Sequence, residues 1–306
     1  MVLSVIARRS PEYSGQQRGN PLVFRISSIM YDINIVIVNY KMKEHIDKCF
    51  ASLFADIKNS DLNINIVVVD NASHDGTRQL LQEKYPSVKY IQLSENGGFG
   101  KAQNVGIKSA EARYYFPLNP DTYFYPGEHI VKKMFNFMER HPKVGMIGPK
   151  ILYPDESLQY SCYRFPTLSH PLVSRGNFGN KGWGKRLHEA ALMKDFNHNE
   201  TRPVDWIMGS AMFVRGIAMK QVGVFDERFW MYYEDSDWCR RMWEAGWPVY
   251  YVHDIVLQHL HGRGSAKVPG IFKALLKNKL ARVHLMSWFK YMWKWRGNHK
   301  YYSHAS

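Results

Sequence analysis

Only three cysteines occur in 306 residues, Cys49, Cys162 and Cys239. So few, so widely scattered, exclude a disulfide framework and a cysteine-based zinc site, and they fit a reducing cytoplasm. No stretch approaches the roughly 18 to 20 apolar residues that cross a bilayer. Residues 1–10 lack the basic start, long apolar stretch and small-residue cleavage site of a secretory leader, so the chain reads as unexported. Neither G-x-G-x-x-G nor a Walker lysine pattern is present, which removes the dinucleotide fingerprint and P-loop chemistry. No internal repeat is visible. Acidic residues are missing altogether after Asp254, whereas Arg263, Lys267, Lys273, Lys277, Lys279, Arg282, Lys290, Lys294, Arg296 and Lys300 follow it. Those ten account for most of the net charge of +14 and point the C-terminal stretch at a polyanion, either anionic lipid or nucleic acid.

What is present is the composition of a folded chain, 45% hydrophobic and 22% charged. Residues 1–30 mix Arg, Ser, Pro, Gly and Gln without a period and read as a poorly ordered extension, with Met30 a candidate natural start. From there apolar strands at 33–38, 64–69, 88–93 and 113–118 alternate with helical patterns at 44–57, 75–85 and 101–112. That alternation predicts an α/β fold of βαβ units with a mostly parallel sheet. A helix over 128–140 and an extended stretch over 144–153 follow. Residues 164–203 show little periodicity, the mark of a binding loop or lid. Residues 205–215 read as a strand pair, 234–245 as a helix and 249–257 as a strand.

The organising stretch is Leu118-Asn119-Pro120-Asp121, which ends a strand at the sheet edge where open α/β folds bind ligands. It puts an amide and a carboxylate where a metal-bound diphosphate would sit; Asn, Pro and Asp also make ordinary turns. Asp70 and Asn71 end the preceding strand, where they can accept from a pyrimidine imide, and Ser73 and Asp75 read as caps of the next helix. Residues 94–100 form a glycine cluster that lets backbone approach a ligand, with Asn104 one helical turn on. Glu234, Asp235 and Asp237 open a helix: acids there complement the helix dipole, but three exceed what capping requires, and crowded carboxylates raise one another's pKa towards that of a working base.

Val-Asn-Tyr-Lys at 38–41, VDNASHDG at 69–76, NGGFGKAQNVG at 96–106, NPD at 119–121, WIMGSAMFVR at 206–215 and FDERFWMYYEDSDWCRR at 225–241 together resemble the inverting family 2 glycosyltransferases of GT-A fold. Within them the sequence is most similar to the bacterial rhamnosyltransferase-like branch that builds O-antigen and other surface polysaccharides. The resemblance covers about residues 31–265 and leaves 266–306 as a basic, aromatic tail. It implies a nucleotide pocket of Tyr40, Asp70, Asn71, Asn96, Asn104 and Asn119, with Tyr40 against the pyrimidine. It implies Asp121 as holder of Mg²⁺ or Mn²⁺, Asp235 as the base, Glu234 and Asp237 as positioning acids, and Trp206 and Gly209 beside the donor sugar. Trp206 fits plain core packing equally. Asn119 stands where the family's D-x-D element has its first carboxylate, so a further metal ligand is wanted; His259 is the candidate and His261 the alternative.

The implied reaction moves L-rhamnose from dTDP-β-L-rhamnose onto a lipid-linked saccharide with an α-L product. A UDP-sugar donor for a galactofuranosyl or hexosyl transfer, and a non-enzymatic nucleic-acid-binding or scaffold protein, are the alternatives. In the tail, Ile271, Leu275, Val283, Met286, Phe289 and Trp293 fall on one helical face, with Lys279, Arg282 and Lys290 intruding. Tryptophans among lysines and arginines suit a helix lying on the inner face of the cell membrane, which would make this a peripheral protein; a helix docked on the catalytic domain is the alternative.

Overall fold

In the computed structural model, residues 30–169, 182–260 and 278–297 are described. The extension at 1–29, His261, Ile271, Leu275 and residues 170–181 lie outside them. The first half alternates as its apolar runs predict: β1 (Tyr31–Asn39), α1 (Lys43–Ile57), β2 (Ile64–Asp70), α2 (Thr77–Lys84), β3 (Lys89–Gln92), α3 (Phe99–Lys108) and β4 (Ala112–Leu118). The second half adds β5 (Thr122–Phe124), α4 (Ile130–Arg140), β6 (Met146–Leu152), β7 (Leu158–Gln159), β8 (Cys162–Tyr163) and α5 (Gly182–Ala191). It continues with β9 (Arg202–Pro203), β10 (Trp206–Ile207), β11 (Phe213–Arg215), α6 (Gly216–Val222), α7 (Glu234–Glu244), β12 (Val249–His259) and α8 (Lys279–Lys294).

The main sheet runs β3-β2-β1-β4-β11-β6-β12-β5. Its first four strands are parallel, β11 lies antiparallel between β4 and β6, and β12 is parallel to β6. Both faces of β1 are covered, which is why it reads as a continuous apolar run. Ile33, Ile35 and Ile37 pack with Phe50 of α1, while Val36 and Val38 pack on the other face with Ile107 of α3. The one polar interruption, buried Asn34, is satisfied: its amide donates to the Gly106 carbonyl at 3.2 Å and accepts from Asn65 at 2.8 Å. Gly106 itself is required there, because a Cβ would lie 2.2 Å from Val36 Cγ1.

Four elements depart from the sequence reading. Residues 205–215 do not pair with each other: β10 pairs with β8 in a separate ribbon, and β11 enters the main sheet. The aperiodic 164–203 segment contains α5. Helix α4 starts at Ile130 because buried Asp56, far away on α1, accepts from the amides of Ile130 (2.6 Å) and Val131 (3.0 Å). Ser73 does not cap α2; its hydroxyl accepts from the Lys41 amide and donates to the Asn39 carbonyl, tying two strand ends together. All three cysteines are buried and free.

Candidate active site

The parallel order places the ends of β2, β1 and β4 side by side, so Asp70–Asn71, Tyr40 and Asn119–Asp121 follow one another along a single carboxyl edge. Tyr40 is 45% exposed there, available as a stacking platform. Asp70 and Asn71 are buried and committed to protein partners. Asp70 accepts from the Ser73 amide (2.6 Å) and from the Asn39 and Gln92 side chains. Asn71 accepts from the Gly97 amide and donates to Asn96 and to the Gly98 carbonyl. They form the wall's framework, with Asn96 completing it by accepting from the Gly98 amide. Asn104 is not at this edge. Its amide group is spent bridging α3 to the backbone of Phe225 and to Glu227, so it joins two segments and does not line a nucleotide pocket.

The glycine cluster makes a close approach, but to protein. Gly98 has φ +91°, and a Cβ there would lie 2.1 Å from the Trp230 carbonyl, which accepts from the Phe99 amide at 2.9 Å. Gly98→Ala is therefore expected to lose about 2 kcal/mol or more of stability through strain alone, read as a lowered midpoint in chemical unfolding.

Asn119, Asp121 and His259 line one cleft of about 360 Å³ together with Gly209, Glu234 and Asp235. These groups come from four distant segments, and pairing explains their meeting. β5, directly after Asp121, pairs antiparallel with the end of β12, setting Thr122 opposite His259. His259 Nε2 then lies 3.2 Å from Asp121 Oδ1. The His259 ring is held by Gln159, whose Oε1 accepts from Nδ1 at 2.8 Å, and Asn119 Nδ2 approaches Nε2 at 3.4 Å. Nε2 thus faces the Asp121 carboxylate, and this nitrogen and oxygen together form a donor pair suited to a metal ion. Among the described residues no third His, Cys, Asp or Glu joins this pair.

Across the helix start, Asp235 accepts from the amides of Gly209 (3.0 Å) and Ser236 (2.7 Å). Burial outweighs those bonds and pushes its carboxyl up to about 6. Burial raises Glu234 further, well above the ordinary carboxyl range, and the charge of Asp235 adds to it. Glu234 Oε2 is buried with no hydrogen-bond partner among the described residues. One acid is thus kept protonated and its neighbour poised to lose a proton near neutrality, which is how two carboxyls divide acid and base roles. Asp237, grouped with them by sequence, faces away: it is fully buried, bonded to Arg241 Nε (2.9 Å), Lys294 Nζ (2.6 Å) and Trp295 Nε1 (2.9 Å). Its oxygens hold α8 and leave none for a substrate.

Trp206 is not simple core. Its ring stacks on Tyr163 at 4.4 Å, its Nε1 donates to the Arg164 carbonyl, and it lines the cleft. Sequence reasoning missed the remaining aromatic lining. Tyr232 and Tyr233 both adopt φ +70°, a left-handed pair that turns the chain into α7. His284 of α8 sits 5.0 Å from each of their rings and lines the same cleft. Consecutive aromatics are a weak signal for a left-handed turn, and a lone histidine in a tail carries none.

Comparison with known proteins shows the family and the fold. Residues 34–196 match the family described as Glycosyl transferase family 2. The chain is 30% identical over 248 residues, 77% of its length and 78% of the other's, to N-acetylglucosaminyl-diphospho-decaprenol L-rhamnosyltransferase of Mycobacterium tuberculosis. It is 27% identical to rhamnosyltransferase WbbL of Escherichia coli, over 85% of this chain and 92% of that one. Two solved structures share the fold: a mannosyltransferase from Pyrobaculum calidifontis (TM-score 0.53, 15% identity, 78% of this chain and 59% of that) and Staphylococcus aureus TarS 1-349 (0.51, 16%, 75% and 60%). The chain thus spans about 60% of the length of these two structures. It has the GT-A-like architecture that the motifs imply, and it belongs to glycosyl transferase family 2, where its similarity runs through the rhamnosyltransferases.

Proposed function

We propose that this protein transfers L-rhamnose from dTDP-β-L-rhamnose, with inversion, onto a lipid-linked saccharide during surface-polysaccharide assembly at the inner face of the membrane. The observation that carries the reading is the single cleft lined by the Asp121–His259 pair and by the Glu234–Asp235 pair. The rhamnosyl and diphospho-decaprenol terms in the name of the mycobacterial relative support the sugar and the class of acceptor. The nucleotide lies along the carboxyl edge with its base over Tyr40 and its phosphates towards Asn119 and Asp121. The donor sugar sits beside Gly209 and Trp206, where the absence of a side chain at Gly209 leaves room against Asp235.

In a single displacement the acceptor hydroxyl oxygen attacks the anomeric carbon, the bond from that carbon to the diphosphate oxygen breaks, and the hydroxyl proton passes to Asp235. Protonated Glu234 donates a hydrogen bond that orients the acceptor or the sugar. Asp121 and His259 fit Mg²⁺ or Mn²⁺, ions commonly held by one or two carboxylates together with substrate phosphates. Such an ion neutralises charge on the departing diphosphate.

The ion is tested by Mn²⁺ binding in the presence of dTDP, followed by electron paramagnetic resonance. Asp121→Ala should abolish it, and Gln159→Leu, which frees the His259 ring, should weaken it about 10- to 100-fold; unchanged binding in both would remove the ion from this site. The donor is tested by incubating the protein with dTDP-rhamnose and, separately, UDP-hexoses and UDP-galactofuranose, each with Mn²⁺ or Mg²⁺. Release of dTDP is expected; release of UDP alone would reassign the donor.

A further inference from the structure

Helix α8 has two unlike faces. Its inner face is seated on the catalytic domain: Ala281, Ser287 and Tyr291 are buried, Ser287 Oγ donates to the Met231 carbonyl, and His284 reaches the cleft. Its outer face carries Met286, Phe289 and Trp293, which are 57%, 54% and 69% exposed. Three large apolar side chains at spacings of three and four residues form one stripe along the helix. Lys279, Arg282 and Lys290 are exposed on the same side and, with Trp230, Val283 and Met286, line a groove of about 410 Å³. At the far end the Arg296 guanidinium lies 3.8 Å over the Trp293 ring. No acidic residue occurs in this helix or anywhere after Asp254.

We propose that the outer face of α8 is a docking surface for an anionic phospholipid bilayer. The apolar stripe enters the headgroup boundary while the flanking cations meet lipid phosphates. Charge decides against a neutral partner. The make-up of the stripe decides against single-stranded nucleic acid, whose bases stack on aromatic faces: one of its three side chains is a methionine, and a face of the Trp293 ring is taken by Arg296. One helix diameter, about 10 Å, then separates the bilayer from the side of α8 that lines the cleft. This deepens the proposed function and rests on its lipid-linked acceptor, since a cleft opening beside the membrane receives such a substrate without extracting it.

The test is flotation of the full chain with vesicles of phosphatidylcholine, and of phosphatidylcholine with one third phosphatidylglycerol. The protein should rise with the anionic vesicles only, and less at high salt. Met286→Ser/Phe289→Ser/Trp293→Ser should lose flotation, and Arg282→Gln/Lys290→Gln should lower partition about fivefold per cation removed. Both variants should keep wild-type circular dichroism and wild-type turnover of a short, water-soluble acceptor. Flotation of the triple variant at the wild-type level would overturn the proposal. So would a wild type that stays down, or one that forms a dimer or binds an oligonucleotide through the same three side chains. A wild type that turns over dTDP-rhamnose yet never floats fells the docking surface alone, and one that floats without turnover fells the proposed function alone.

Discussion

Asp235→Asn should cut turnover roughly a thousandfold while leaving the fold and dTDP binding intact, the loss expected when a positioned general base is removed. That factor corresponds to about 4 kcal/mol of barrier. The substitution keeps the shape of the side chain and one oxygen to accept from the Gly209 or Ser236 amide, and it also removes a buried charge, so the thermal midpoint should not fall. A wild-type pH profile provides the second reading. The base works only when deprotonated, and burial has pushed its carboxyl up to about 6, so turnover should climb as pH rises through that value and level off above it. Glu234→Gln should cost far less, because a carboxyl held protonated by burial and by the neighbouring Asp235 charge is replaced by a group that also donates. If Glu234→Gln were the deeper loss, the two roles would have to be exchanged.

Asp237→Ala should destabilise the chain by about 3–5 kcal/mol, the usual cost of removing one partner from a buried ion cluster. For a chain of this size the thermal midpoint would fall by roughly 5–15 °C. Asp237 is fully buried between Arg241, four residues on, and Lys294, fifty-seven residues on; Lys294 also reaches Asp226 at 2.7 Å. Removing the carboxylate takes from Arg241 its acid partner and leaves Lys294 with Asp226 alone. The consequence should extend to α8, whose last turn is pinned by this cluster, and should appear as faster hydrogen exchange over 279–294. Acid should loosen the same contact. Burial alone would raise Asp226, but Arg228 and Lys294 overcome it and hold its carboxyl well below the usual range. A depressed carboxyl contributes its full stability above the unfolded value of about 4 and loses it as pH falls from there through the folded value.

The contrast between these two acids shows what could be read from sequence. The place of Asp235 at the cleft was legible because its signal is local: an acid at a helix start, in a run whose order of blocks marks a family. Asp237 two residues later looks identical in that respect. Its environment is set by Lys294 and Trp295, which no spacing within 234–245 reveals. β1, β2 and β4 were legible because each is covered on both faces and so is largely apolar; β3, at the sheet edge with Lys89 and Gln92 exposed, was legible as a short strand between two helical patterns. β5 was not, since three residues carry no period, yet it is the strand that brings His259 to Asp121. The resemblance of its block set Asn104 in the pocket, while its amide bonds the backbone 121 positions away at Phe225. The apolar stripe of the tail was legible, and docking on the catalytic domain stood beside it as the alternative; that the docked side would deliver His284 to the cleft was not.

The left-handed Tyr232–Tyr233 pair has a practical consequence for redesign of substrate range. Each ring is carried on a backbone geometry that most side chains tolerate poorly, so a library at these positions would be filtered by conformation before chemistry is tested. Glycine and asparagine would preserve the bend and enlarge the opening, whereas valine or isoleucine would displace the carboxyls that follow. Engineers seeking bulkier acceptors should begin with those two replacements.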